Sequence, residues 1–145
     1  MATTSSKEDN EGKRYFAFFD LDHTLAGTVS GRELALAAYR KGFMKRSDLI
    51  SAIWLSMGYR MKLLLPERAV SMMGSWVKGM TVESIDELCT EVTDKVMIPA
   101  VYSEVKKELD EHRAKNAGLV ILSSTVEPVC RRVAELLGMD DILCT

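Results

Sequence analysis

The hydrophobic pattern of the chain begins with a short apolar run, Tyr15-Phe16-Ala17-Phe18-Phe19, between polar neighbours. A continuous apolar run of this length predicts a strand that is buried on both faces, as in the middle of a parallel sheet. A second wholly apolar run, residues 119–122, predicts another strand, and residues 141–145 predict the start of a third.

Between these strands, apolar positions repeat at helical spacing. The pattern and its start and stop residues predict helices over 32–41, 48–65, 66–79, 81–97, 99–115 and 126–137. The second helix carries an apolar stripe made of Ile50, Ile53, Trp54, Met57 and Met61. Burial of this stripe within a small helical bundle is favoured, and contact with a membrane surface is the alternative.

The order of these elements predicts the fold class. Strands that alternate with helices favour an α/β fold, with a parallel sheet and right-handed crossovers. Residues 14–30 and 98–145 would form its Rossmann-like core, and residues 31–97 would form an inserted α-helical unit. Residues 1–13 are polar and lack a hydrophobic signal core, so they predict a disordered tail.

Two carboxylates, Asp20 and Asp22, directly follow the first predicted strand. Residues two apart on an extended chain point the same way, so both acids can enter one small space. That space lies beyond the carboxyl end of a strand, where open α/β sheets bind ligands. Two anions so close together predict a hard divalent cation such as Mg²⁺, although paired acids are also common in simple turns.

A second polar cluster, Ser123-Ser124-Thr125, lies where the second strand gives way to a helix. The first amides of a helix are free to bind an anion, and phosphate is a natural ligand there. The Ser123 hydroxyl and the Ser124 amide are the predicted donors. The alternative is that Ser124 or Thr125 caps the helix, with Ser124 and Glu127 forming a capping box. Both functions are compatible.

The composition argues against a nucleic-acid-binding, a cysteine-metal or a membrane-spanning protein. The 145 residues carry a formal net charge of -2 and a sequence pI of about 5.7, so no basic field indicates nucleic-acid binding. The three cysteines, Cys89, Cys130 and Cys144, lack metal-binding spacing and predict reduced thiols in a cytoplasmic protein. No apolar run is long enough to span a bilayer, so membrane association is not expected.

The stretch Asp20-Leu-Asp-His-Thr-Leu25 after an aromatic strand resembles motif one of the haloacid dehalogenase (HAD) superfamily of phosphohydrolases. The run from Leu119 to Thr145 resembles motif two and its flank. The subfamily that these motifs resemble is the phosphoserine-phosphatase-like one, which carries a helical cap between the two motifs. The resemblance implies a partial HAD-like core with residues 31–97 as that cap.

The resemblance also implies a mechanism for hydrolysis of a small phosphomonoester. Asp20 would be the nucleophile that forms an aspartyl-phosphate, and Asp22 the general acid and then base. The Asp20 carboxylate and the backbone carbonyl of Asp22 would hold Mg²⁺. Ser123 would bind the phosphoryl group together with Ser124, and Thr24 would touch phosphate or support the metal site.

The sequence departs from the family pattern in two places. The lysine of motif three and the acidic pair of motif four are not found, and neither Lys115 nor Asp140-Asp141 is a convincing substitute. We therefore expect a chain truncated after motif two, with weak Mg²⁺ binding and little turnover. Val29-Ser30 stands near where phosphoserine phosphatases carry a substrate-binding glutamate, so phosphoserine is not the expected substrate.

Two other hypotheses remain open at this point. One is a catalytically silent phosphatase-like module that binds a phosphorylated ligand or a protein partner. The other is the leading domain of a longer fusion, for example with a lipid-modifying enzyme. An unpaired sheet edge also predicts low solubility or self-association.

Overall fold

The structure is a computed structural model that describes residues 12–51, 54 and 77–144. Three strands are described, β1 (Tyr15–Phe19), β2 (Ala117–Leu122) and β3 (Asp141–Leu143). The named α-helices are α1 (Ser30–Arg40), α2 (Val82–Val92), α3 (Ser103–Ala114) and α4 (Glu127–Leu137). A π-helical segment, Thr93–Met97, and a short 3₁₀ turn, Ile98–Ala100, lie between α2 and α3.

The described strands form one parallel sheet in the order β1-β2-β3. Phe16 is in register with Gly118 and Phe18 with Val120, while Leu122 is in register with Leu143. The fold class is therefore α/β with a parallel sheet. The strand β2 begins two residues before the predicted position, because Ala117 and Gly118 already pair with Tyr15 and Phe16 of β1.

The prediction that β1 is buried on both faces was wrong. Among the described strands β1 lies at an edge of the sheet, since it pairs with β2 alone. Its odd-numbered residues face α3, where the Tyr15 hydroxyl bonds His112 Nδ1 at 2.9 Å and the Phe19 ring meets the His112 ring edge-on. The even-numbered residues, Phe16 and Phe18, remain 42% and 55% exposed.

The two helices α3 and α4 lie on one side of the sheet. Arg113 near the end of α3 donates to the carbonyl oxygens of Leu137 and Gly138 at the end of α4. The opposite side carries exposed apolar side chains along all three strands. This open face consists of Phe16, Phe18, Leu122 and Leu143. Phe16 lies so close to Gly118 that a Cβ there would stand 2.5 Å from its ring.

The helix α4 follows its sequence prediction closely. It starts one residue later than predicted, has Pro128 in its first turn and ends at Gly138, whose left-handed φ of 64° suits a glycine. Its inner face contributes Val129, Cys130 and Val133, all fully buried.

Residues from Ser30 to Val92 form a second compact unit. Within it α1 packs against α2, and an ion pair joins Lys41 to Glu91 at 2.5 Å. Thr81 accepts a hydrogen bond from the Ser84 amide, as the predicted helix start requires. Burial and the charge of Asp86 raise the pKa of the Cys89 thiol in α2 to about 11.

The predicted helices over 48–65 and 66–79 lie largely outside the described residues. Residues 46–51 and Trp54 are helical, and the described stripe residues Ile50 and Trp54 are 57% and 69% exposed. Within the described part of the chain, no helix has the length and apolarity needed to cross a membrane.

Asp140 has a structural function at the amino end of the sheet. Its Oδ2 accepts the Leu119 amide at 2.7 Å, and its own amide donates to the Leu119 carbonyl at 2.8 Å. Its Oδ1 lies 3.2 Å from Lys13 Nζ. Asp140 therefore joins the chain before β3 to β2, and it lies away from the carboxyl ends of the strands.

Replacement of Asp140 by alanine is expected to destabilise the fold by about 1–3 kcal/mol, because the amide of the fully buried Leu119 loses its acceptor. Asp140→Asn keeps an oxygen acceptor and should cost less. Urea unfolding of the two variants and the wild-type chain measures the difference. Equal midpoints for all three proteins would contradict this function of Asp140.

Candidate active site

The candidate site begins where β1 ends, in a tight turn from Asp20 to Ala26. The amides of Leu25 and Ala26 both donate to the Leu21 carbonyl, at 3.1 and 3.0 Å. Leu21, Leu25 and Ala26 are at most 1% exposed and anchor the turn in the core. The polar residues between these anchors are consequently held at the surface of the turn.

Asp20 is exposed, and its Oδ1 accepts a hydrogen bond from the Leu21 amide at 2.8 Å. Asp22 is half-buried and forms a parallel bridge with Ala26. Between Asp22 and the exposed Thr24, His23 adopts a left-handed φ of 61°. The turn thus presents Asp20 and Thr24 to solvent and holds Asp22 beside Ala26.

A second passage of the chain supports this turn. Ala26 forms an antiparallel bridge with Val101, so it pairs with Asp22 on one side and with Val101 on the other. The Gly27 amide donates to Ala100 at 2.8 Å, and the Tyr102 amide donates to Leu25 at 3.1 Å. The predicted helix over 99–115 starts only at Ser103, because Val101 and Tyr102 after the 3₁₀ turn have an extended backbone and make these contacts.

Ser123 follows β2 and is held by β3, because its amide donates to the Leu143 carbonyl at 3.0 Å. Its hydroxyl donates to Thr125 Oγ1 at 3.2 Å and accepts from the Thr125 amide at 3.4 Å. Ser123 is half-buried, Ser124 exposed and Thr125 6% exposed.

The prediction that Ser124 or Thr125 caps the following helix was wrong. The N-cap of α4 is Val126, which has an extended backbone and no side-chain cap bond. The Thr125 amide instead turns back to Ser123, so the polar cluster forms its own turn before the helix begins.

Cys130 connects the two halves of the candidate site. Its thiol is fully buried and donates to the Thr125 carbonyl at 3.7 Å. Burial raises the pKa of Cys130 well above its usual range, and the neighbouring Cys144 thiol and the charges of Asp22 and Asp20 raise it further. The first turns of α4 therefore lie within electrostatic reach of both carboxylates.

The two carboxylates and the serine turn thus lie at the same end of adjacent parallel strands. Phe19, which precedes Asp20, is in register with Ile121, which comes two residues before Ser123. Neighbouring strands are about 4.8 Å apart, so the loops after β1 and β2 share one edge of the sheet. The sequence reasoning placed Asp20 and Ser123 at strand ends but missed Cys130 and the Ala26–Val101 pairing, for which the local pattern carries no signal.

The donor set suits one kind of metal ion. Over residues 12–51, 54 and 77–144, no cluster of three or more His, Cys, Asp or Glu side chains has metal-binding geometry. Mg²⁺ is commonly held by one or two carboxylates together with waters and substrate phosphate. Asp20 and Asp22 fit this pattern, and they do not fit a closed site made of protein ligands alone.

Comparison with known proteins identifies the family. The family model for haloacid dehalogenase-like hydrolases matches residues 17–145. The chain belongs to the haloacid dehalogenase-like hydrolase family. The match runs from β1 through β3 and includes the turn after β1 and the serine cluster after β2.

Individual relatives of this HAD chain are distant. It is 25% identical over 143 residues to the "Inhibition of morphological differentiation protein" of Streptomyces azureus, covering 95% of this chain and 51% of that protein. A Bordetella pertussis Tohama I protein of unknown function superposes with a TM-score of 0.76 at 23% identity, covering 92% of this chain and 60% of that one.

A phosphoserine phosphatase captured as a phospho-aspartyl intermediate analogue has the same fold. Its TM-score is 0.65 at 15% identity, covering 91% of this chain and 56% of that one. This HAD chain spans about half the length of the curated relative that it matches, the Streptomyces azureus protein.

Proposed function

We propose that this chain carries the phosphoryl-transfer residues of a Mg²⁺-dependent HAD phosphatase that hydrolyses a small phosphomonoester through an aspartyl-phosphate. The observation that carries the proposal is the position of Asp20, Asp22 and Ser123 at the carboxyl ends of the adjacent strands β1 and β2. Family membership supports a hydrolase, and the phosphoserine phosphatase fold supports phosphate as the transferred group.

In the first step an Asp20 carboxylate oxygen attacks phosphorus and the bond to the leaving oxygen breaks. Asp22 gives its proton to that oxygen, and the product is an alcohol. In the second step water attacks phosphorus and Asp22 takes the proton. The bond to Asp20 then breaks, which regenerates the carboxylate and releases inorganic phosphate.

The remaining residues position and stabilise the phosphoryl group. Ser123 and the Ser124 amide donate to phosphate oxygens, and Thr24 lies exposed on the same turn as the two acids. The Asp20 carboxylate and the Asp22 backbone carbonyl would hold Mg²⁺, which would supply positive charge against the carboxylates and the phosphate. Backbone hydrogen bonds from Leu21 to Ala26 stabilise the turn that follows Asp20 and carries Asp22.

The test is Mg²⁺-dependent phosphate release by the chain extended through its native reading frame. Release from p-nitrophenyl phosphate should stop when EDTA removes the metal. Asp22→Asn should lower kcat/KM, which reports the first step, more for an alkyl phosphate than for p-nitrophenyl phosphate, because a good leaving group needs little protonation. Release that persists in EDTA, or an equal fall in kcat/KM for both substrates, would contradict the proposed roles.

Ser123→Ala is expected to weaken binding of phosphate or a fluoride mimic by about 1–3 kcal/mol, the cost of losing a hydrogen bond to a charged group. Isothermal titration with and without Mg²⁺ measures the affinity. Ser103→Ala, which removes a hydroxyl from the exposed start of α3, is the matched control. Unchanged affinity in the Ser123 variant would leave this serine with a purely structural function in the turn.

The second candidate is a silent module that binds a phosphorylated ligand without turnover. The exposed Ser124 and the start of α4 that follows it would serve such binding equally well. Tight phosphate binding together with no phosphate release from the extended chain favours this module over the enzyme.

A further inference from the structure

The His112 side chain of α3 packs against β1, and the proposed chemistry does not use it. Its ring meets two aromatic rings edge-on, with centroids 5.8 Å from that of Tyr15 and 5.7 Å from that of Phe19. These two residues lie at opposite ends of the strand, and only the small Ala17 stands between them on the same face. A single ring therefore contacts both ends of β1.

Partners on both nitrogens fix the orientation of the His112 ring. Its Nδ1 lies 2.9 Å from the Tyr15 hydroxyl, and its Nε2 lies 3.3 Å from Glu108 Oε1, one helical turn earlier in α3. A carboxylate only accepts, so it favours a proton on Nε2, and Nδ1 of the neutral ring then accepts from the Tyr15 hydroxyl. The next residue, Arg113, donates to two carbonyl oxygens at the end of α4 and so anchors this end of α3.

The contact with Phe19 links His112 to the candidate site. Phe19 is the last residue of β1, and Asp20 follows it directly. Successive side chains of a strand point to opposite faces, so Phe19 faces α3 while Asp20 faces away from it. A strand that is held through Phe19 resists rotation about its own axis. The direction in which the Asp20 side chain leaves the backbone is held with it.

We propose that His112 is a positioning residue, which orients the Asp20 carboxylate through the ring of Phe19. The inference rests on the proposed function of Asp20 as the nucleophile. Misplacing a reacting atom by about 1 Å can cost about a hundredfold in rate. Phosphate itself would be bound by other groups, Ser123 and the Ser124 amide. Loss of the His112 ring should therefore slow the first chemical step and leave the affinity for phosphate nearly unchanged.

The experiment measures two quantities in variants of the chain extended through its native reading frame. They are kcat/KM for p-nitrophenyl phosphate and the inhibition constant of inorganic phosphate. His112→Ala should lower kcat/KM at least about tenfold and change the inhibition constant less than about twofold. His112→Phe keeps a ring against Phe19 and should restore most of the loss. His112→Asn keeps an acceptor for Tyr15 without the ring and should restore little.

A double-mutant cycle tests the route through Phe19. In a Phe19→Leu background, His112→Ala should lower kcat/KM less than about twofold further, because two residues that act through one contact are not additive. Val105→Ala is the stability control, since it truncates a buried side chain two turns before His112 in the same helix. It should lower the melting temperature without lowering kcat/KM.

A second measurement needs no turnover. The Leu21 amide donates to Asp20 Oδ1 at 2.8 Å, so its hydrogen–deuterium exchange reports whether the carboxylate keeps this orientation. In the 145-residue chain, His112→Ala should speed exchange at Leu21 at least about threefold. His112→Phe and Val105→Ala should keep the wild-type exchange rate.

Several outcomes would overturn the inference. They are an unchanged kcat/KM in His112→Ala, an unchanged exchange rate at Leu21, or an equal change of either quantity in Val105→Ala. A full loss from His112→Ala in the Phe19→Leu background would rule out the route through Phe19. Turnover that Asp20→Asn leaves intact would refute the proposed function instead. In that case, or if no turnover occurs, exchange at Leu21 still decides whether His112 orients Asp20.

Discussion

Asp20→Asn is expected to lower phosphate release at least about a thousandfold in the chain extended through its native reading frame, the scale of removing a nucleophile. An amide oxygen is a far weaker nucleophile than a carboxylate oxygen. The substitution also removes one negatively charged ligand from the proposed metal site. The measurement is the rate of p-nitrophenyl phosphate hydrolysis at saturating Mg²⁺.

Asp20→Asn preserves the size and the hydrogen-bond acceptor of the side chain. Its side-chain oxygen can still accept the Leu21 amide that Asp20 Oδ1 accepts now at 2.8 Å, so the turn and the melting temperature should be preserved. Asp86→Asn, which removes an exposed carboxylate from α2, is the control and should keep full activity. Retained turnover in the Asp20 variant would refute its assignment as the nucleophile.

The 145-residue chain alone should release phosphate at least about a hundredfold more slowly than the extended chain, the scale of losing one electrostatic stabiliser. Asp20, Asp22 and a bound phosphate bring several negative charges together. The resemblance to the family implies a lysine and further acids that offset this repulsion and complete the metal shell. Purifying both chains side by side and measuring Mg²⁺-dependent release from each tests the expectation.

Comparable rates from the two chains would contradict this expectation. They would mean that groups within these residues, or a second copy, supply the missing positive charge.

The fold class could be predicted because its signals are local. Apolar runs marked all three strands, and Pro128 and Gly138 marked the ends of α4, since each of these residues restricts or permits the backbone at its own position. The ends of α3 and β2 shifted by a few residues. Contacts from distant segments decide them, as at Val101, which pairs with Ala26.

The sequence predicted which residues form the candidate site, but not their local geometry. A carboxylate pair after a strand and a serine cluster after another strand both follow from the sequence, because parallel strands bring their carboxyl ends to one edge. The chemical roles of Asp20, Asp22, Thr24, Ser123 and Ser124 stay predictions. The alternative in which Ser124 or Thr125 is the N-cap was wrong, because the N-cap position of α4 is Val126.

By itself, the sequence determined which segments are strands and helices, which side chains follow the strands, and the family to which their spacing points. Only the tertiary structure decided burial, because burial depends on what other segments place against a residue. An aromatic strand reads as central, yet β1 has α3 on one face and β2 on one edge, and Phe16 and Phe18 stay exposed. Likewise only the tertiary structure shows what Asp140 does, because its bonds to the Leu119 amide and to Lys13 come from segments far away in the chain.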